Sequence, residues 1–169
     1  MISIWLGSLE AYNDGELVGT WITLPLDDEE LRDYYNLYTS NGAHDYFIAD
    51  HESDFGLNIG EYEDPFKINE MARKMEGMKD WELDQFKAAY SLREPGSIDE
   101  VMELLDNLDD FILYPDVKDD DDLGMNYMDE IVTAKDNWLL AYVDSGRLGR
   151  DIRLENGGIH TEWGYVCEV

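Results

Sequence analysis

The first third of the chain combines strand-like alternation with one helical repeat. Residues 2–6 (ISIWL) and 20–26 (TWITLPL) are rich in β-branched and aromatic residues and predict two strands, separated by a turn signal, NDG, at 13–15. Residues 45–50 (DYFIAD) predict a third strand. Residues 27–38 repeat at helical spacing and place acids in the first turn, where the helix dipole favours them. This region therefore predicts a small α+β module.

Helical periodicity covers the middle of the chain, over residues 65–107. Pro65 suits the first position of a helix, Gly77 marks a stop, and Asp80 is predicted to cap the next helix. A proline–glycine pair at 95–96 breaks the pattern again. A capping box at residues 97–100 then precedes the last apolar positions. These signals predict a short helical bundle.

The last third returns to mixed patterning. Residues 111–115 (FILYP) predict a brief strand, and helices are predicted over about 120–134 and 137–145, with Gly146 ending the second. Two short strands, GIHTE and YVCEV, finish the chain. No internal repeat or low-complexity linker separates the parts. The predicted fold class is α+β, an elongated chain of three small modules at 1–61, 62–108 and 109–169.

The net charge says more about the protein's partners than any other property of the sequence. The 169 residues include 44% hydrophobic and 12% aromatic positions, which is ample for a core, yet 40 acids face 12 bases, giving a net charge of −28. The three parts 1–60, 61–110 and 111–169 carry −11, −9 and −8. An acidic tail would concentrate its charge in one block, so here the charge covers a folded body. Nucleic acid and anionic membranes are thus excluded as direct partners, and a strongly basic partner is favoured.

Targeting signals are not evident in the sequence. No apolar run approaches 18 residues, and the N-terminus lacks the basic and apolar regions of a signal peptide. A single cysteine, Cys167, rules out an internal disulfide and is predicted to be a buried structural thiol. The cytoplasm is therefore the expected compartment.

A run of four aspartates invites a test for a calcium loop. Asp119, Asp121, Gly124 and Glu130 match EF-hand loop positions 1, 3, 6 and 12. Position 5 is Leu123, which has no side-chain oxygen, and the preceding segment is predicted as a strand where the motif needs a helix. A dedicated metal site is therefore not predicted here.

Catalytic motifs are similarly unsupported. The three histidines, His44, His51 and His160, are scattered, and the sequence contains neither a nucleophile elbow nor a phosphate-binding loop. Paired-carboxylate catalysis stays open by number alone, because forty acids form many pairs, but no motif singles out two of them. The sequence thus predicts a protein that is not an enzyme and has no cofactor.

A folded body with this charge has a physical counterpart in duplex DNA. At one charge per roughly 1.7 Å of axis, 28 charges correspond to roughly 48 Å, or about 14 base pairs. Carboxylates three or four residues apart on a helix can form rows that a basic DNA-binding groove would accept. A halophile surface and an acidic module that binds another basic protein would have similar compositions. The acids predicted for a DNA-mimic surface are Asp27, Asp28, Glu29, Glu30, Asp33, Asp99, Glu100, Glu103, Asp106, Asp109, Asp110, Asp119, Asp120, Asp121, Asp122, Asp129 and Glu130.

Four segments carry a family resemblance. They are YNDGELVGTWITLP, EYEDPFKINEMARKMEGM, NWLLAYVDSGRLGRDI and the closing GYVCEV. Taken in order, they resemble the ArdA-type antirestriction proteins over nearly the whole chain. The third is similar to that family's antirestriction motif, through Tyr142, Gly149, Arg150 and Asp151.

The resemblance implies a bacterial protein carried by mobile DNA that occupies the DNA-binding groove of type I restriction–modification enzymes. It also implies an elongated three-module fold and a homodimer joined near the antirestriction motif. We expect the motif residues to have a structural role in that interface, since cations are poor phosphate surrogates. Two copies would double the charge to −56 and the imitated length to about 28 base pairs.

Overall fold

The structure, a computed structural model, describes residues 1–39, 46–131 and 137–169. These residues form two compact units. The first unit contains Met1–Met78 and Pro95–Glu103, and the second contains Lys79–Glu94 and Leu104–Val169. Each unit has one three-stranded antiparallel sheet, and seven α-helices lie within the described ranges. This mixture confirms the α+β prediction.

The sheet of the first unit has the strand order β2-β1-β3, with β1 at Ile2–Ser8, β2 at Gly19–Leu24 and β3 at Tyr46–Ser53. The three strands predicted in this region are therefore confirmed. Alternate side chains of β1 and β2 are buried on one face, as the period of two requires. A short helix, α1 (Leu9–Asn13), was not predicted, because five residues are too few to show a helical period.

Besides α1, the first unit contains two longer helices in full, α2 (Asp28–Tyr38) and α3 (Pro65–Glu76). Leu31 of α2 is fully buried, and Asp27 occupies the N-cap position. Helix α3 starts at its predicted proline and ends at Glu76, with Gly77 as its C-cap. These boundaries confirm the helical predictions for both segments.

The next two helices are α4 (Asp80–Arg93), which belongs to the second unit, and α5 (Ile98–Asp106), which begins in the first. The prediction that Asp80 caps α4 is wrong by one residue. Lys79 is the N-cap, and its N–H donates to the Glu82 carboxylate at 2.8 Å. The predicted helical module 62–108 thus contributes to both units. The elongated three-module division stays a prediction.

The sheet of the second unit has the strand order β4-β6-β5, with β4 at Phe111–Tyr114, β5 at Ile159–Thr161 and β6 at Gly164–Glu168. All three predicted strands are confirmed. Cys167 of β6 is buried beside Tyr165 and Leu123, and burial raises the pKa of its thiol. Its predicted structural role fits this position.

The two remaining helices are α6 (Asp120–Ile131) and α7 (Ser145–Asn156). The first of these helices was predicted to end at about residue 134, and residues 132–136 lie outside the described ranges. The helix predicted over 137–145 and ended by Gly146 is wrong, because Asn137–Tyr142 forms a 3-10 turn. Asp144 then caps a new helix by accepting the Arg147 N–H at 2.9 Å, which places Gly146 inside α7.

Within the described residues, no helix is both long enough and apolar enough to cross a membrane.

Candidate partner-binding surface

Acidic side chains lie on the surface of both units. Asp45 and Asp136 fall outside the described residues, and none of the other 38 acids is buried. Among the 17 acids predicted for a DNA-mimic surface, 15 are exposed, and only Asp120 and Asp122 are half-buried. The carboxylates are therefore placed where a partner can reach them, whatever its nature.

The densest acidic group of the first unit lies at the start of α2. Asp28, Glu29 and Glu30 occupy the first turn, and Asp33 follows one turn later. Free backbone N–H groups and the helix dipole favour negative charge at this end. Arg73 of α3 pairs with Asp28 at 2.6 Å, which ties the start of α2 to α3. The acids at the start of α2 are therefore placed where the helix stabilises negative charge.

Helix α5 carries a second row of acids. Asp99 pairs with Lys67 at 2.6 Å, and Glu100 accepts the Gly96 N–H at 2.8 Å. Ser97 accepts the N–H of Glu100 at 3.3 Å, which is one half of the predicted capping box. The other half is displaced by one residue, since the Glu100 carboxylate accepts the N–H of Gly96 and not that of Ser97. Glu103 and the acids at 106, 109 and 110 extend the row along the helix and its following 3-10 turn, all of them exposed.

The four consecutive aspartates start a helix. Asp119 accepts the N–H groups of Asp121 and Asp122, both at 2.9 Å, as an N-cap does. Asp122 accepts the Lys118 N–H at 2.9 Å, and the Ser145 hydroxyl donates to Asp121. Across the described ranges, no group of three His, Cys, Asp or Glu side chains is placed to hold a metal ion.

Asp120 differs from its three neighbours because its charge is balanced within the unit. Arg153 of α7 donates to it from Nε at 2.7 Å and from Nη2 at 3.2 Å, and His160 Nε2 of β5 lies 2.9 Å from the same carboxylate. Hydrogen bonds from Arg153, and then His160, lower the pKa of Asp120 to about 2. We therefore expect Asp120 to stabilise the second unit and to contribute little to partner binding.

Replacing Asp120 with asparagine should lower the free energy of unfolding at neutral pH by about 2 kcal/mol. The native pKa lies below the ordinary 3.8, so this stabilisation is present above about pH 4 and is lost as the pH falls through about 2. Urea unfolding of wild type and Asp120→Asn at several pH values measures the difference. The exposed Asp129→Asn, on the same helix, is the control and should change little. An equal effect of both substitutions would contradict this role.

The antirestriction motif contributes a close contact between two helices. Gly149 of α7 is buried against α6, and a Cβ there would lie 1.8 Å from the Asp120 carbonyl oxygen. A Cβ on Gly124 of α6 would lie 2.0 Å from the Ser145 carbonyl oxygen. Only glycine allows the two backbones to approach this closely. The sequence signal for this contact is a pair of glycines within helical segments, where glycine is otherwise unfavourable.

The other motif residues face solvent. Arg150 and Asp151 are exposed on α7, and Tyr142 is 82% exposed at the end of the 3-10 turn. Trp138, in the same turn, is 65% exposed, and its ring centroid lies 6.2 Å from that of Tyr142. Exposed aromatic side chains are typical of protein interfaces. The structure thus separates a buried packing glycine from exposed side chains, and their role in a dimer interface stays a prediction.

Comparison with known proteins identifies the family. No curated protein sequence matches the chain. The family model described as antirestriction protein (ArdA) matches residues 4–167, which is nearly the whole chain and includes both units. The motif residues and the surface acids described above lie within that match. The chain belongs to the ArdA family of antirestriction proteins.

Proposed function

We propose that the protein inhibits type I restriction–modification enzymes by occupying their DNA-binding groove in place of DNA. The observation that carries this proposal is the placement of the acids, none of which is buried among the 38 that the structure describes. Membership in an antirestriction family supports inhibition as the outcome. In this mechanism no residue acts as a nucleophile or a metal ligand.

Carboxylates on α2 and α5 replace phosphates in the proposed complex. Acids three or four positions apart on a helix lie about 5–6 Å from one another, which gives short rows of negative charge. Arginine and lysine side chains that contact phosphates form charge-assisted hydrogen bonds with carboxylates equally well. The interaction is spread over many weak contacts, so affinity should fall as salt is added.

A homodimer would double the length of DNA whose charge the protein matches. Two chains carry −56, and a two-fold dimer has the same kind of symmetry as a duplex. The exposed Trp138 and Tyr142, within the segment that carries the antirestriction motif, supply aromatic surface suited to the interface between two copies. The dimer is part of the proposal and rests on this surface and on the resemblance.

Restriction assays on one DNA substrate test the proposed function. The protein should block cleavage by a type I enzyme and leave a type II enzyme active on the same DNA. The alternative, a general acidic module for basic proteins, predicts binding to a basic protein without a DNA groove, such as lysozyme, at physiological salt. Equal inhibition of both restriction enzymes, or strong binding to lysozyme, would contradict specific DNA mimicry.

A halophile surface is the second alternative, because it is also uniformly acidic. Such a fold needs high salt, whereas an inhibitor that acts in an ordinary bacterial cytoplasm does not. We expect a native circular dichroism spectrum and cooperative urea unfolding in buffer without added salt, with modest further stabilisation as salt screens the charges. Unfolding on dialysis into that buffer would favour the halophile interpretation.

A further inference from the structure

A cavity in the first unit has a mainly aromatic lining. Its volume is about 480 Å³, and Tyr35, Tyr46, Tyr62, Asp64 and Phe66 line it. This volume lies in the range of small-ligand sites. Among the described residues of this lining, four side chains are aromatic and the fifth is a carboxylate.

Three secondary-structure elements hold the aromatic walls in place. Tyr35 lies on α2, Tyr46 begins β3, and Phe66 is in the first turn of α3. The Tyr35 ring centroid is 5.2 Å from that of Tyr46 and 5.5 Å from that of Phe66, with interplanar angles of 58° and 59°. The rings are tilted and do not stack, so they form adjoining walls. Tyr62 is 63% exposed and lies at the rim.

The carboxylate in this lining is fixed and gives the cavity a negative potential. Asp64 is the N-cap of α3, and its Oδ1 accepts the Phe66 N–H at 2.9 Å. The Tyr46 hydroxyl donates to the Glu63 carbonyl oxygen at 3.3 Å. Burial, and then the charge of Asp64, raises the pKa of Tyr46 to about 12. Burial alone disfavours any charged group, whereas the negative charge of Asp64 disfavours a tyrosinate and favours a cation.

We propose that this cavity is an aromatic cage that binds one arginine side chain of the partner enzyme. Aromatic walls with an adjacent carboxylate attract organic cations, and a planar guanidinium both stacks on rings and bonds to a carboxylate. Arginine is abundant in surfaces that contact DNA phosphates. The choice of partner rests on the proposed function, whereas the preference for a cation rests on the lining itself.

The cage would give the complex a geometric preference that carboxylates alone do not supply. Scattered surface acids attract any basic groove, since exposed ion pairs have little geometric preference. A walled site accepts one side chain in a fixed orientation and therefore helps to set the register of the inhibitor in the groove.

Aromatic-region NMR titrations test the site directly. The probes are N-acetyl-argininamide and its neutral isostere N-acetyl-citrullinamide. The arginine compound should shift the ring signals of Tyr35, Tyr46 and Phe66, and the citrulline compound should not. Asp64→Asn should weaken arginine binding about fivefold, because asparagine keeps the helix cap and removes the charge. Asp144→Asn, at the N-cap of α7, is the matched control and should have no effect.

Two results would overturn the cage. One is equal binding of both compounds, and the other is an equal response to Asp64→Asn and Asp144→Asn. Either result would show that the tyrosines of this cavity only pack against one another and do not bind a cation. Folding of each variant is checked by its urea midpoint, and Tyr62→Ala provides a rim substitution whose exposure makes it tolerable to the fold.

Inhibition assays separate failure of the cage from failure of the proposed function. Tyr62→Ala should raise the concentration needed for half-inhibition about fivefold, and Tyr62→Phe should retain wild-type inhibition. If wild type displaces DNA but Tyr62→Ala inhibits equally well, the cage assignment is wrong and DNA mimicry stands. If argininamide binds but wild type never displaces DNA from the enzyme, the assignment to that partner is overturned.

Discussion

Replacing Gly149 with alanine is expected to unfold the second unit and to abolish inhibition. The new Cβ would lie 1.8 Å from the Asp120 carbonyl oxygen, a backbone atom that cannot turn aside. Helices α6 and α7 would have to separate, which we expect to cost about 3 kcal/mol or more, a large part of a domain's stability. Separation would also disrupt the hydrogen bonds from Arg153 of α7 to Asp120 at the start of α6.

Gly146 supplies a matched control on the same helix. A Cβ there meets no atom closer than 3.8 Å, so Gly146→Ala should be neutral or slightly stabilising through its helix propensity. Urea unfolding followed by circular dichroism, with a restriction assay alongside, compares the two variants. A Gly149→Ala protein with the stability of Gly146→Ala would show that the close helix contact is not required.

The second large effect is expected from neutralising a group of acids. Five exposed acids can be changed without disturbing a cap or an observed ion pair, namely Glu29, Glu30, Asp33, Asp129 and Glu130. Each substitution by the corresponding amide should weaken binding to a type I enzyme by about twofold, since exposed ion pairs are each worth less than about 1 kcal/mol. All five together should weaken it about 30-fold, because five independent twofold losses multiply. Titration in a DNA-displacement assay measures both sets.

Charge-preserving exchanges provide the control for this group. Swapping Asp and Glu at the same five positions keeps every charge and should leave binding within about twofold of wild type. The five amides should leave the urea midpoint near that of wild type, because relief of self-repulsion is offset by the lost helix-dipole interactions of Glu29 and Glu30, and this separates lost binding from lost folding. Loss of most binding through one of the five amides, in a folded protein, would contradict a distributed interaction.

Local patterning was sufficient to predict most of the secondary structure. Alternation at residues 2–6 and short runs of apolar, β-branched or aromatic residues elsewhere predicted the six strands of the described residues, and Pro65 and Gly77 marked the ends of α3. The error at Gly146 arose because a glycine after an apolar helical stretch is typical of a helix end, whereas Asp144 two residues earlier begins a new helix. When a signal for a helix end and a signal for a helix start lie two residues apart, the local sequence does not show which one determines the structure.

Tertiary contacts explain what the sequence could not predict about the site. Four consecutive aspartates are equivalent in sequence, and only the fold brings Arg153 and His160, 33 and 40 residues away, to Asp120. The aromatic cage likewise combines side chains from α2, β3 and the start of α3. The exposure of the acids, in contrast, could be predicted from the sequence, because carboxylates stay at the surface of almost any fold.

Competition with DNA tests the central claim most directly. The half-inhibitory concentration is the concentration of this protein that displaces half of a labelled duplex from a type I methyltransferase core. It should be measured at several concentrations of the duplex, at constant ionic strength. DNA mimicry predicts that the half-inhibitory concentration rises in proportion to duplex concentration above its dissociation constant, and that the protein and the duplex never bind together. A half-inhibitory concentration independent of DNA, or a ternary complex, would contradict it.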